Sequence, residues 1–86
     1  MEVETAEKIG WVKLSEHRKK IMLDLSNTLK IPTEISKSTE LSKSEVSRTL
    51  RALKDAGIVV CHNEDSHRGR LYGLTDEGNE IIKYIH

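Results

Sequence analysis

The chain has 86 residues, 36% of them apolar and 33% charged, with 14 Lys and Arg balancing 14 Asp and Glu to a formal net charge of zero. That length holds one small domain and excludes a second packed one, and the single cysteine, Cys61, excludes an intramolecular disulfide and points to a reducing, cytoplasmic setting. No secretory signal or membrane-spanning apolar run is legible, so a folded domain is expected whose core comes from Ile, Leu and Val, with only Trp11, Tyr72 and Tyr84 as aromatics.

Residues 1–13 place Val3, Ala6, Ile9 and Val12 three apart, a weak helical pattern interrupted by Gly10, and are expected to form a short helix or arm ahead of the main domain at 14–86. Ser15 caps a stronger helix whose stripe is Ile21, Leu25 and Leu29, flanked by Met22, with Arg18, Lys19 and Asp24 toward solvent. Pro32 halts it, and Thr33 is the expected N-cap of a short helix over Glu34 to Ser38 anchored by Ile35. Thr39, Glu40 and Leu41 form a turn, with Leu41 filling the gap before the next helix.

The segment SKSEVSRTLRALKDAG, Ser42 to Gly57, carries its own start and stop. Ser42 can accept from the Glu45 N–H while Glu45 reaches back to the Ser42 N–H, a capping box, and Gly57 can take the left-handed conformation that closes a helix. Val46, Leu50 and Leu53 recur at i, i+4 and i+7 and define a core face. The outward face keeps Lys43, Ser44, Ser47, Arg48 and Arg51. An α-helix fits the DNA major groove, where Arg bonds guanine bidentately and Ser reaches base edges or phosphates. Together with the preceding short helix and three-residue turn, this is a helix-turn-helix pattern.

Beyond Gly57 the period changes. Ile58 to Asn63 and Arg70 to Thr75 are β-prone runs around a polar loop, Glu64 to Gly69, which gives a hairpin with a long tip carrying His67 and Arg68. Thr75 or Asp76 caps a last helix, whose Ile81, Ile82 and Ile85 can pack on the core or on a second chain.

A zero net charge is not the usual basic footprint of a nucleic-acid binder, but the charge is polarised. Cations gather at Arg18, Lys19, Lys20 and Lys30 and at Lys43, Arg48, Arg51 and Lys54, whereas acids gather at Glu2, Glu4 and Glu7 and at Asp76, Glu77 and Glu80. Cys61, His62 and His67 raise a metal reading. Adjacent residues on a strand point to opposite faces, and fewer than four ligands are in view, so neither a metal nor another cofactor is expected. No Ser/His/Asp or Cys/His set, phosphate loop or spaced carboxylate pair suggests an enzyme.

The order helix, helix-turn-helix, hairpin, helix resembles the winged helix-turn-helix fold. The strings VSRTLRALKDAGIV and RGRLYGLTDEG are similar to those of prokaryotic, particularly archaeal, transcriptional regulators related to the ArsR and MarR groups, over roughly Leu14 to Ile85. The resemblance implies a mostly α fold with a small β-hairpin: a three-helix core, a two-stranded wing and a C-terminal helix. It implies a sequence-specific regulator binding double-stranded DNA, with recognition helix 42–56 in the major groove and wing 63–70 on the minor groove or backbone. The DNA-facing residues would be Ser42, Lys43, Ser44, Ser47, Arg48 and Arg51 on that helix, His67 and Arg68 on the wing, and Thr33 at a phosphate. Arg70 would either join them or brace the wing through Asp65 or Glu64. Many relatives have glycine in the helix-helix turn where this chain has Thr39 and Glu40. A homodimer is expected, with Val3, Ile9 and Val12 near Trp11 and Ile81, Ile82 and Ile85 as contact surfaces, and no small-molecule ligand is evident. Because a fold does not fix a function, the alternative is a winged-helix module that binds protein in a transcription-related complex.

Overall fold

The structure, a computed structural model, describes residues 3–66 and 69–85, Val3 by its backbone only. In chain order its elements are α1 (Val3–Lys13), α2 (Glu16–Asp24), α3 (Pro32–Thr39), α4 (Lys43–Asp55), β1 (Val59–Cys61), β2 (Tyr72–Leu74) and α5 (Asp76–Ile82). The fold is mostly helical with one antiparallel pair, in which Val59, Val60 and Cys61 face Leu74, Gly73 and Tyr72.

Local chemistry explains the element ends. Ser15 Oγ accepts from the Arg18 N–H at 3.3 Å and starts α2. The helix stops at Asp24 instead of reaching Leu29, because Ser26, Asn27 and Thr28 are weak helix formers and Asn27 turns left-handed at φ 59°. Leu29, expected in the stripe, is therefore 46% exposed. Asp24 is not solvent-facing either: Lys30 folds back over the helix end to reach its Oδ1 at 2.7 Å, and the same ammonium donates to Ser38 Oγ. Arg18 is likewise drawn inward. Its guanidinium stacks 3.9 Å from the Trp11 ring centre and donates to the Trp11 carbonyl at 2.8 Å, which ties α1 to α2.

Thr33 is not the cap of α3. Ile31 takes the cap position, Pro32 is the first helical residue, and the Glu34 carboxylate accepts from the Ile31 N–H at 3.0 Å. Glu40 closes α3 in the left-handed region, φ 63°, ψ 17°. At α4, Ser42 Oγ accepts from the Glu45 N–H at 3.2 Å, but the Glu45 carboxylate turns to His17, 3.7 Å away, instead of completing a capping box. Gly57 ends α4 at φ 76°: its N–H bonds Lys54 O and the Ile58 N–H bonds Leu53 O, each at 2.9 Å, the paired closure of a Schellman motif.

The core lies where α2, α3 and α4 meet the hairpin and α5. Ile21, Met22, Ile35, Val46, Leu53, Ile58 and Ile81 are completely buried, each contributing about 1.5–3 kcal/mol of transfer free energy. Val12 of α1 is in the same cluster. Ile81, Ile82 and Ile85 are also buried within the chain, so these side chains and Val12 are core and not the free contact surface that the sequence suggested. The Val3 side chain lies outside what is described. Thr75 caps α5 by accepting from the Gly78 N–H at 3.0 Å and itself donates to Gly57 O at 2.7 Å, joining the ends of α4 and α5. Among the described residues no helix is long and apolar enough to cross a membrane.

Candidate nucleic-acid interface

The buried face of α4 fixes the opposite face in space. With Val46, Leu50 and Leu53 in the core, Lys43, Ser44, Ser47, Arg48 and Arg51 are all exposed on the other side, and Ser42 is exposed at the cap. Among the described residues, Arg48 and Arg51 have no ion-pair or hydrogen-bond partner, while the acid nearest the start of the helix, Glu45, lies against His17. The face therefore presents uncompensated positive charge.

The wing root is shaped by Asn63. Its Oδ1 accepts from the Leu71 N–H at 2.6 Å, its Nδ2 donates to Gly69 O at 3.1 Å, and its carbonyl accepts from the Ser66 N–H at 2.9 Å. Arg70 braces the loop by donating from Nε to Ser66 O at 2.9 Å, not through Asp65 or Glu64. Glu64 belongs instead to Lys54 of α4, at 2.6 Å. That bond and the ammonium charge hold the Glu64 carboxyl below the usual carboxylate range, with Arg70 adding a smaller effect, and Glu64 in turn raises Lys54. His67 and Arg68 lie outside the described residues. On the outer edge of the hairpin, Lys30 exchanges both backbone bonds with Tyr72, at 2.9 and 3.0 Å, so the segment before α3 is stitched to β2.

Two adjoining grooves run along this side. Arg70 and Tyr72 line one with Thr33 and Pro32 at the start of α3, and line the other with Ser47, Arg51 and Lys54 of α4. Thr33, Arg70, Ser47 and Arg51 are thus brought to one trough between the helix-turn-helix and the wing. Thr33 is exposed in the first turn of α3, where backbone N–H groups lack helical partners. Arg48 sits on the other flank, lining a shallower groove with Ser15, His17 and Arg18. Lys54, Asn63 and Tyr72 are not among the DNA-facing residues that the resemblance implies. Asn63, a turn-forming residue at a strand end, carried a usable signal; Lys54 and Tyr72 acquire their place only from tertiary packing. Cys61 is buried and its neighbour His62 is exposed, on opposite sides of the hairpin. Among the described residues no group of three His, Cys, Asp or Glu side chains is placed to share a metal ion.

The chain is similar to known proteins in both sequence and fold. A segment of "Protein argonaute 7" from Arabidopsis thaliana is 36% identical over 76 residues, 88% of this chain but 7% of that protein. HlyU from Vibrio cholerae superposes with a TM-score of 0.77 at 26% identity, covering 100% of this chain and 95% of its own. A homodimeric winged helix-turn-helix DNA-binding domain from Mycobacterium bovis, described as a possible ArsR-family transcriptional regulator, gives 0.72 at 19% identity over 90% of this chain and 69% of that one. Residues 15–60, more than half the chain and the whole run from the α2 cap through α3 and α4 into β1, match the family described as "Bacterial regulatory protein, arsR family". The chain belongs to that ArsR family, whose members are DNA-binding transcription regulators built on the winged helix-turn-helix fold.

Proposed function

We propose that this chain is a sequence-specific transcription regulator that lays α4 in the major groove of duplex DNA and its wing, residues 63–70, on the adjacent minor groove or backbone. The observation that carries the reading is the outer face of α4, whose Arg48 and Arg51 have no acidic partner among the described residues. Ser44 and Arg48 are suited to base edges, Lys43 and Ser42 to the backbone at the helix start, and Thr33 with the first-turn N–H groups of α3 to a phosphate. Arg68 and His67 extend the same role to the wing tip. One recognition helix covers few base pairs, so two copies act together on a two-fold site, as the homodimeric description of the M. bovis domain suggests.

The protein-binding alternative would be favoured by Arg48, Arg51 and Arg68 paired with acids within the chain; among the described residues Arg48 and Arg51 have no such partner, and Arg68 lies outside them. The test is binding of the purified protein to its own promoter fragment against a mixed-sequence duplex. Specific binding should fall by about 1–3 kcal/mol in Arg48→Ala while binding to the mixed sequence changes little. Failure to associate with any duplex at low salt would sink the reading.

A further inference from the structure

We infer that the groove between α4 and the wing root seats one backbone phosphodiester of the bound duplex, held jointly by Arg51 and Arg70. This rests on the DNA reading and assigns a role within it. The groove's walls are Arg51 and Ser47 on one side and Arg70 on the other; Leu50, Tyr72 and Pro32 contribute its uncharged surface. Arg51 has no partner among the described residues. The Arg70 Nε–H is fixed on Ser66 O, which orients the guanidinium and leaves its terminal nitrogens as donors to an anion.

Charge decides which anion. Arg51, Lys54 and Arg70 face the groove together with Asp55, and Lys54 is bonded to Glu64, so three cations meet two carboxylates and leave one net positive charge. A phosphodiester carries a single negative charge and matches it. A phosphomonoester, with about −1.5 to −2, would leave uncompensated charge beside Asp55 and Glu64. Ser47 adds a hydroxyl donor to the same groove. The consequence is a division of labour on α4: Arg51 positions the backbone, and base reading falls to Ser44 and Arg48.

The test uses the full chain and a mixed-sequence DNA duplex, titrated with potassium chloride, for wild type, Arg51→Gln, Arg70→Gln and the double variant. Both side chains are exposed, so the helical core is retained, and amide exchange at residues 62–66 checks that the wing loop keeps its place in Arg70→Gln, which lacks the Nε bond to Ser66 O. The double variant should lower the magnitude of the log affinity against log salt slope by about 0.9, the contribution of one phosphate, with the single decrements summing to no more than that. Separate decrements of about 0.9 that add in the double variant would mean two phosphates, and an unchanged slope would mean none; either overturns the assignment. So would an Arg51→Gln effect confined to the promoter fragment. Replacing chloride by inorganic phosphate at equal potassium concentration should change wild-type and double-variant affinity equally, and phosphate competition that the double variant loses would make the groove a free-anion site instead. Wild-type protein that binds no duplex would overturn the DNA reading itself, a result distinct from all of these.

Discussion

Lys54 Nζ and Glu64 Oε1 meet at 2.6 Å, joining the last turn of α4 to the loop that leaves β1. This bond ties the start of the wing loop to α4. Both side chains are substantially exposed, so the pair is screened by salt and adds little to global stability. In Glu64→Gln the thermal midpoint should stay unchanged while amide exchange at residues 62–66 speeds up at low salt, a difference that disappears at high salt. On the proposed DNA reading, affinity for mixed-sequence duplex should rise, since a carboxylate beside the proposed interface is removed. The pH dependence follows from the two directions. With Glu64 lowered, the bond is present above the carboxylate range and is lost as pH falls through its folded value; with Lys54 raised, it is lost again as pH rises through the folded value of the amine.

Glu40→Gly should stabilise the protein. The residue closes α3 at φ 63°, a conformation that costs an L side chain about 1–2 kcal/mol, whereas glycine adopts it freely and loses about 0.5–1 kcal/mol through its more flexible unfolded chain. The difference is a gain of about 0.5–1 kcal/mol, read as a higher denaturant midpoint at constant slope. Glu40→Ala keeps the Cβ and should show no such gain. Both variants remove a carboxylate from the turn ahead of α4, so both should bind duplex more tightly. Equal stabilisation by alanine would place the effect in charge and not in backbone strain.

What could be read from sequence followed the range of the interactions. Val46, Leu50 and Leu53 with Gly57 defined α4 and its outer face because helix periodicity and the closing turn are local; the β-branched run after Gly57 likewise announced the hairpin. Leu29 falls outside the stripe because α2 ends at Asp24 and Ser26, Asn27 and Thr28, with Asn27 left-handed, do not continue it. Asp24 with Lys30, Arg18 with Trp11, and Lys30 with Tyr72 depend on how the segments fold back on one another, which no spacing reveals. The same holds within the candidate site. The α4 residues were legible as a face, but the Arg70 brace to Ser66 and the Lys54 tie to Glu64 depend on the path of the wing loop.

Glu77 anchors α1. Its two carboxylate oxygens accept from Lys8 Nζ at 2.7 Å and Thr5 Oγ1 at 3.0 Å, from the first turn of α5, where a negative charge also meets the helix N-terminus favourably. The Lys8 bond first, then the Thr5 bond, hold the Glu77 carboxyl below the usual range. Its contribution is therefore present above the unfolded carboxylate value and is lost as pH falls through the folded one. Glu77→Gln should cost about 0.5–1 kcal/mol at neutral pH, and the stability curves of the two proteins should converge in acid. Amide exchange should locate the loss in α1 first. Parallel curves down to acid pH would remove Glu77 as the source.

Two helical glycines should respond to alanine with opposite signs. Gly10 lies exposed in α1, and a Cβ built there meets nothing within 4 Å, so Gly10→Ala gains helix propensity of about 0.8–1 kcal/mol at no steric cost. Gly78 is buried in the first turn of α5, where a Cβ would collide with the Ile58 carbonyl oxygen and press on Leu74 Cβ. That carbonyl already accepts from the Thr75 N–H at 3.0 Å at the junction of hairpin and helix. It has no flexible end that could move aside. Propensity still favours alanine at Gly78, but overpacking against backbone costs about 1–3 kcal/mol and outweighs it. Equilibrium unfolding should show Gly10→Ala above wild type and Gly78→Ala below it, with the loss largest in α5 and the base of the hairpin. A stabilised Gly78→Ala would mean that α5 can shift away from Ile58, and the close approach of helix to hairpin would then not be a fixed feature of the fold.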